Sequence, residues 1–333
     1  MGWFGDLLKG VVKQEAVDMM FVRDVGGAPA APDALVADEC YVEFYVDSLR
    51  LRNARKFATK FDAVVYSFIT LPFDGDAKVK IPSVSKPTNL EQLDPKGLGN
   101  VITVDKQMMG SIPWRGGPML VELGLFSVKS ENLIKGVLDF VTKIGSAAGV
   151  SFIGQIAPFA PLITEGMDLL AGQTQDVALE VGLDTALQLT TVGTHAVIAV
   201  PKNGKVDSAK LTVDPGDKKL LLAGQPLQQA YCVFSVRKTD QKTDFGEIPE
   251  LKDKYAALMT AIRGGKADDA NAALAVFRLA ALASPDLISS DAKRLADRAK
   301  KKVDDAFGGG GVSAVAIDDA AALEELADIG LYQ

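Results

Sequence analysis

Hydrophobic positions along this chain switch between a period near 3.6 and a period of 2, and each switch predicts a change of element. In residues 1–20, Trp3, Phe4, Leu7, Leu8, Val11 and Val12 share one side of a helical projection, with Asp6, Lys9, Lys13 and Gln14 opposite. That spacing predicts an amphipathic N-terminal helix within residues 1–25. The Gly/Ala/Pro-rich run GGAPAAPDA follows, and a linker is expected over 26–38. Period-2 and β-branched segments then dominate: CYVEFYV (40–46), DAVVYSFITL (62–71), AKVKI (77–81), VITV (101–104) and MLVELGLFSV (119–128). Turn chemistry separates them at Asp74-Gly75, Pro82, Pro87, Pro95 to Gly99, and Gly116-Gly117-Pro118.

Residues 131–145 return to the helical period through Leu133, Val137, Leu138, Val141 and Ile144, with Ser130 as N-cap. No charge occurs from Ile144 to Thr164, and a second helix should reach Leu170 before Ala171-Gly172. A second β-rich stretch follows in DVALEVG (176–182), ALQLTTV (186–192), THAVIAV (194–200), AKLTV (209–213), KLLLA (219–223) and AYCVFSVRK (230–238). Helical spacing then predicts helices over 249–263 and 267–283 and a third starting near Ser290. Their buried face should hold Leu251, Tyr255, Leu258, Ile262, Leu274, Phe277, Leu282, Leu295, Val303 and Phe307. Beyond Gly308 to Gly311, Ala322, Leu323, Leu326 and Ile329 again lie at near-helical spacing.

The predicted fold class is therefore α+β. A β-sandwich-like body of about ten strands (39–240) carries an inserted helical hairpin (131–172). A C-terminal three-helix module (247–307), a glycine linker (308–311) and a tail segment (312–333) follow. Two separate small β domains are the alternative arrangement.

With 48% hydrophobic and 24% charged residues in 333, the chain has material for a substantial core, which excludes wholesale disorder. Charge refines the picture of the tail. Asp318, Asp319, Glu324, Glu325 and Asp328 supply five of the seven excess negative charges, so the rest of the chain stands at −2. A nearly neutral body lacks the electrostatic footprint of a nucleic-acid binder. The basic cluster Arg294, Arg298 and Lys300 to Lys302 is interleaved with Asp297, Asp304 and Asp305 and reads as a solvated helix face.

Little in the sequence predicts catalysis. The single histidine, His195, sits in the strand-like run VGTHAVIAV and reads as a strand-end residue satisfied by backbone. Cys40 and Cys232 lie in apolar runs, which favours buried free thiols over a disulfide and raises their pKa, the wrong direction for a nucleophile. GLGNVI (97–102) lacks the third glycine of a dinucleotide fingerprint, and GGKA (264–267) lacks the Ser/Thr of a P-loop. Ser83 with Lys86, and Ser235 with Lys238, match a Ser/Lys nucleophile spacing that is short enough to arise by chance. Asp74 with Asp76, Asp214 with Asp217, and Asp240 with Asp244 read as turn residues before calcium ligands. No catalytic, cofactor-binding or metal-ligating residue is assigned.

The expectation is a non-catalytic structural or adaptor protein that joins an assembly through its terminal segments. The tail would engage another protein or an oligomer mate through Val315, Ile317, Leu323, Leu326 and Ile329. The alternative is a membrane-recruited protein using residues 1–20, with Trp3, Phe4, Leu7, Leu8 and Val11 as contacts, and residues 144–170. A third reading, an unfamiliar enzyme, would need a deep pocket gathering His195 with carboxylates. The N-terminus shows no basic region leading into an apolar core and a small-residue cleavage site, so a cytoplasmic protein is expected.

Overall fold

Strands from both β-rich stretches interleave in two antiparallel sheets, which makes the body one sandwich. The computed structural model describes residues 17–26, 33–52, 55–56, 59–74, 77–84, 101–129, 177–243 and 245–308. The first sheet contains β1 (Val17–Val22), β9 (Gly193–Pro201), β13 (Tyr231–Thr239), β2 (Tyr41–Arg50) and β6 (Val101–Pro113), in that spatial order. The second has the order β3 (Arg55–Lys56), β4 (Thr59–Asp74), β7 (Pro118–Lys129), β8 (Val177–Gln188), with β5 (Ala77–Val84) also paired to β4. A small third sheet, β10 (Leu211–Val213), β11 (Leu220–Leu222) and β12 (Gln225–Pro226), joins neither ladder.

Alternation builds the core. Val42, Phe44 and Val46 of β2 and Met119, Val121, Leu123 and Leu125 of β7 are buried in one cluster between the two large sheets. A row of rings crosses the first sheet inside it: Phe44 to Phe234 at 5.2 Å, Phe234 to His195 at 5.3 Å, and His195 to Phe21 at 6.0 Å. On the other face of that sheet, Ile198, Tyr231 and Val233 meet Leu211 and Leu220 of the small sheet in a second core. Tyr231 fixes that contact, since Leu220 N donates to its Oη at 3.1 Å.

Register gives the sandwich two poles. Tyr41 pairs with Thr239, Pro118 with Gln188, and Val236 with Gly193, all at one end. Arg50 pairs with Tyr231 and Val101, Val128 with Val177, and Val17 with Pro201, all at the other. The twelve residues of β7 separate the poles by roughly 35–40 Å at the usual strand rise.

Three helices, α1 (Pro249–Arg263), α2 (Ala267–Ala283) and α3 (Ser289–Phe307), stand at the first pole. They fall within a residue of the spacing-based expectation. Pro at the start of α1 and Gly264 at its end bound it as helix punctuation should. Buried hydrogen bonds fasten the module to the body. Tyr41 Oη donates to Asp291 Oδ2 at 2.8 Å and accepts from Ile288 N at 3.1 Å. Lys242 N donates to the same Asp291 oxygen at 2.9 Å, and Arg294 Nη2 to its other oxygen at 2.9 Å. Arg115 Nη2 reaches the carbonyls of Pro285 and Leu287.

Several expectations need correction. The helix expected within 1–25 does not extend through Val17–Val22, which is β1 paired to β9. Met19 and Phe21 pack on the main core while Met20 and Val22 pack on the second, so the strand has apolar residues on both faces and no polar alternation to betray it. The later part of the expected 26–38 linker is docked. Leu35 is buried, its N–H bonds Thr190 O at 2.9 Å, and Ala34 bridges to Thr191. The segments 176–182 and 186–192 do not form two strands, because one strand, β8, runs through Gly182, which faces Gly124 of β7. Leu282 is 59% exposed where burial was expected, whereas Phe277 is fully buried. The expected hairpin at 131–172 and the tail at 312–333 lie outside the described residues.

Candidate functional site

Two strand irregularities on the outer face of the first sheet converge on one arginine. Asp47 has no register partner on β13, since Val46 pairs with Phe234 and Ser48 with Val233. On β6, Lys106 pairs with Val46 and Thr103 with Ser48, so Val104 and Asp105 both stand opposite Asp47. Asp105 takes a left-handed backbone with φ of 37°, a conformation that Asp tolerates better than most residues. Bulges of this kind re-aim side chains. Here they point Asp47 Oδ1 and Asp105 Oδ1 at Arg237 Nη2, at 2.7 and 2.5 Å. Arg237 Cζ lies 3.7 Å over the Tyr45 ring, and its Nε donates to Ser235 Oγ at 3.2 Å.

Asp47 is the unusual member. Its side chain is 5% exposed, and Oδ2 has no hydrogen-bond partner. Burial pushes its carboxyl above the usual carboxylate range, against the opposing pull of Arg237 and Ser235. The cluster floors a groove of 610 Å³ walled by Val213 and Lys218 of the small sheet's hairpin and by Val25, Asp33 and Lys238. Three acids (Asp33, Asp47, Asp105) and three bases (Lys218, Arg237, Lys238) line it, so it is polar without a net sign. Such a site can hold polar groups by hydrogen bonds. Its serine, Ser235, donates to Asp47 Oδ1 at 3.1 Å. Both members of the Ser235/Lys238 spacing line the groove, but each has another partner: Lys238 pairs with Asp240 at 3.0 Å, and Ser235 donates to Asp47.

His195 lies on the opposite face of the same sheet. Its Nδ1 accepts from Asp24 N at 3.3 Å, its Nε2 is buried without a hydrogen-bond partner, and the side chain is 1% exposed. Burial lowers its pKa to about 4, with Asp24 pulling the other way. Cys40 and Cys232 are buried free thiols, and burial raises the pKa of both. Asp214 acts as a turn residue, with Oδ1 accepting from Gly216 N at 2.8 Å and Asp217 N at 3.2 Å. Among the described residues no three His, Cys, Asp or Glu side chains gather as a metal site. No helix among them is long and apolar enough to cross a membrane.

A second surface is apolar. On α2, Val276, Leu279 and Leu282 are 50%, 70% and 59% exposed. They share a solvent-facing stripe with Ala272, Ala275 and Ala283, opposite the buried Ala270, Leu274, Phe277 and Ala281. Sequence reasoning missed both surfaces. The Asp47-Ser48 pair breaks the alternation of YVEFYVDSLR and marks the bulge. A helix with only Asp268, Asp269, Asn271 and Arg278 as polar residues has more apolar surface than one core face needs. The residues expected to touch a partner or a membrane, Val315, Ile317, Leu323, Leu326 and Ile329 and also Trp3, Phe4, Leu7, Leu8 and Val11, lie outside the described residues.

The class these features define is an α+β sandwich protein with a helical module bolted to one pole. No protein-family model matches the chain, and no curated protein matches it. A solved structure described by the words "CC2D1B coordinates ESRCT-III activity during the mitotic reformation of the nuclear envelope" is similar at 9% identity and a TM-score of 0.27, over 70% of this chain and 69% of that one. A TM-score of that size does not establish a shared fold, and it assigns nothing to this chain.

Proposed function

We propose that the chain is a non-catalytic adaptor whose sandwich is a scaffold and whose module pole and C-terminal segment recruit another protein. The observation that carries this reading is the outward stripe of α2. Exposing Val276, Leu279 and Leu282 together costs about 25 cal/mol for each Å² that could be buried, and contiguous patches of this kind mark interaction surfaces. The glycine-tethered tail, with Val315, Ile317, Leu323, Leu326 and Ile329, is the recruiting element that departs from this same pole. The chemistry of the described residues supports a scaffold in another way: the one imidazole and both thiols are buried among apolar neighbours.

The test is capture from the native cell extract by the intact chain and by a 1–307 truncation. A protein identified by mass spectrometry with the intact chain and lost with the truncation is the expected result. Equal capture by both would overturn the tail's role, and a turnover reaction abolished by Ser235→Ala would overturn the non-catalytic reading.

A further inference from the structure

We propose that, in the free protein, the stripe on α2 is covered by residues 312–333 of the same chain. The inference deepens the adaptor reading, in that it treats the stripe as an interaction face, but it requires no external partner.

Three observations select this occupant. The first is where the chain leaves. α3 ends at Phe307, and α2 and α3 are consecutive helices joined by five residues, so Gly308 lies at the end of the module where α2 begins. Gly308 and the three glycines after it span roughly 10–12 Å by random-chain scaling, and Val276 lies about 14 Å along α2 from its start, so residues 312–322 carry the chain the rest of the way to the stripe. The other long segments outside the described residues start elsewhere. Residues 1–16 lead into Val17, 85–100 into Val101, and 130–176 run from Lys129 to Val177, all at the opposite pole, and the other end of 85–100, Val84, stands halfway along β4 opposite Tyr66. These anchors lie roughly 20–40 Å farther along the sandwich, so the tail has the higher effective concentration at the stripe.

The second observation is spacing. Val276, Leu279 and Leu282 recur every three residues, and so do Leu323, Leu326 and Ile329. Val276 to Leu282 span about 9 Å along α2, and the tail set has the same spacing in sequence, so a helix formed on docking would match the stripe in length and period. The third is charge. Arg278 borders the stripe, three residues from Ala275 and four from Leu282. On the tail, Glu325 and Asp328 hold the equivalent bordering positions, each preceding an apolar residue of the set. The contact therefore joins an apolar seam to a cation on one side and carboxylates on the other, and it should weaken with salt.

The experiment uses the purified full-length chain. Leu279→Cys combined with Leu326→Cys should oxidise to an intramolecular disulfide about tenfold faster than a control pair joining Leu326→Cys to Asp297→Cys on exposed α3 surface. Cys40 and Cys232 are buried and should stay silent. In parallel, hydrogen exchange should show protected amides in 320–330, and Leu279→Asp should abolish that protection. Equal oxidation rates for the two pairs would overturn the proposal, as would covalent dimers from Leu279→Cys alone, which would make a second copy the occupant. Protection that persists in Leu279→Asp would also overturn it. Neither readout involves a partner, so the adaptor reading stands or falls separately in the capture experiment.

Discussion

Between Phe21 and Phe234, the imidazole of His195 stays neutral down to about pH 4, whereas in the unfolded chain it protonates near 6.5. Over that window the unfolded state binds more protons at this site. The stability it contributes is fully present above pH 6.5 and is lost as pH falls toward 4. The size is on the order of 3 kcal/mol. His195→Asn should therefore flatten the decline of the urea midpoint between pH 7 and pH 4.5, whatever its offset at pH 7, and parallel curves for the two proteins would refute the linkage. Asp47 acts with the opposite sign, because its raised folded pKa gives stability that is lost as pH rises through it. Comparing the two curves cancels that contribution. Removing the cation beside it is a separate test. Arg237→Ala should cost about 1–3 kcal/mol at pH 7, less than a fully buried pair because the guanidinium is partly exposed. Adding Asp47→Asn should recover part of that loss, since the buried carboxylate is then no longer a charge. A double variant less stable than Arg237→Ala alone would contradict this account.

The second helix separates packing from exposure within one element. Phe277→Ala should cost about 3–5 kcal/mol, because the ring is fully buried and 5.5 Å from that of Tyr255. Leu279→Ser, two residues along, faces away from the core and should cost no more than about 1 kcal/mol, the part set by loss of the tail contact. Thermal melts of the two variants check both values, and a Leu279→Ser loss near that of Phe277→Ala would mean that the face is part of the core. The helices were legible in the sequence because amphipathic spacing and punctuation agree at Pro249 and Gly264-Gly265. Leu282 was misplaced because α2 has two apolar stripes and the sequence does not say which one the sheets receive. β1 was hidden for a related reason, having a core on each face. Of the Asp47/Arg237/Asp105 cluster only the bulge at Asp47-Ser48 leaves a local mark, because which side chains meet there depends on register between strands nearly 190 residues apart.

Across the whole molecule, deletion of 309–333 should leave the melting temperature within about 2 °C, since the module is fastened to the body through Tyr41, Asp291, Lys242 and Arg115, all before the cut. A fall of more than about 8 °C would place the tail in the core. The α+β class and the three C-terminal helices were readable from periodicity. The choice of one sandwich over two domains was not, because it depends on β9 and β13 crossing back to join β2.

That crossing has a consequence for how the protein can be made. β13 is the last strand of the sandwich in sequence, yet it lies between β9 and β2, in the middle of the first sheet. On a ribosome, Val46 emerges roughly 190 residues before its partner Phe234, a delay of about 10–40 s at ordinary elongation rates. Through that interval β2 presents an apolar strand with one edge unpaired, a state prone to aggregation and suited to chaperone capture. Synthesis that stops anywhere before Tyr231 yields a product without its central strand. Such a fragment presents the unpaired edge of β2 and lacks the Phe234 ring that packs on Phe44 at 5.2 Å, which gives a chaperone something to recognise without any tag.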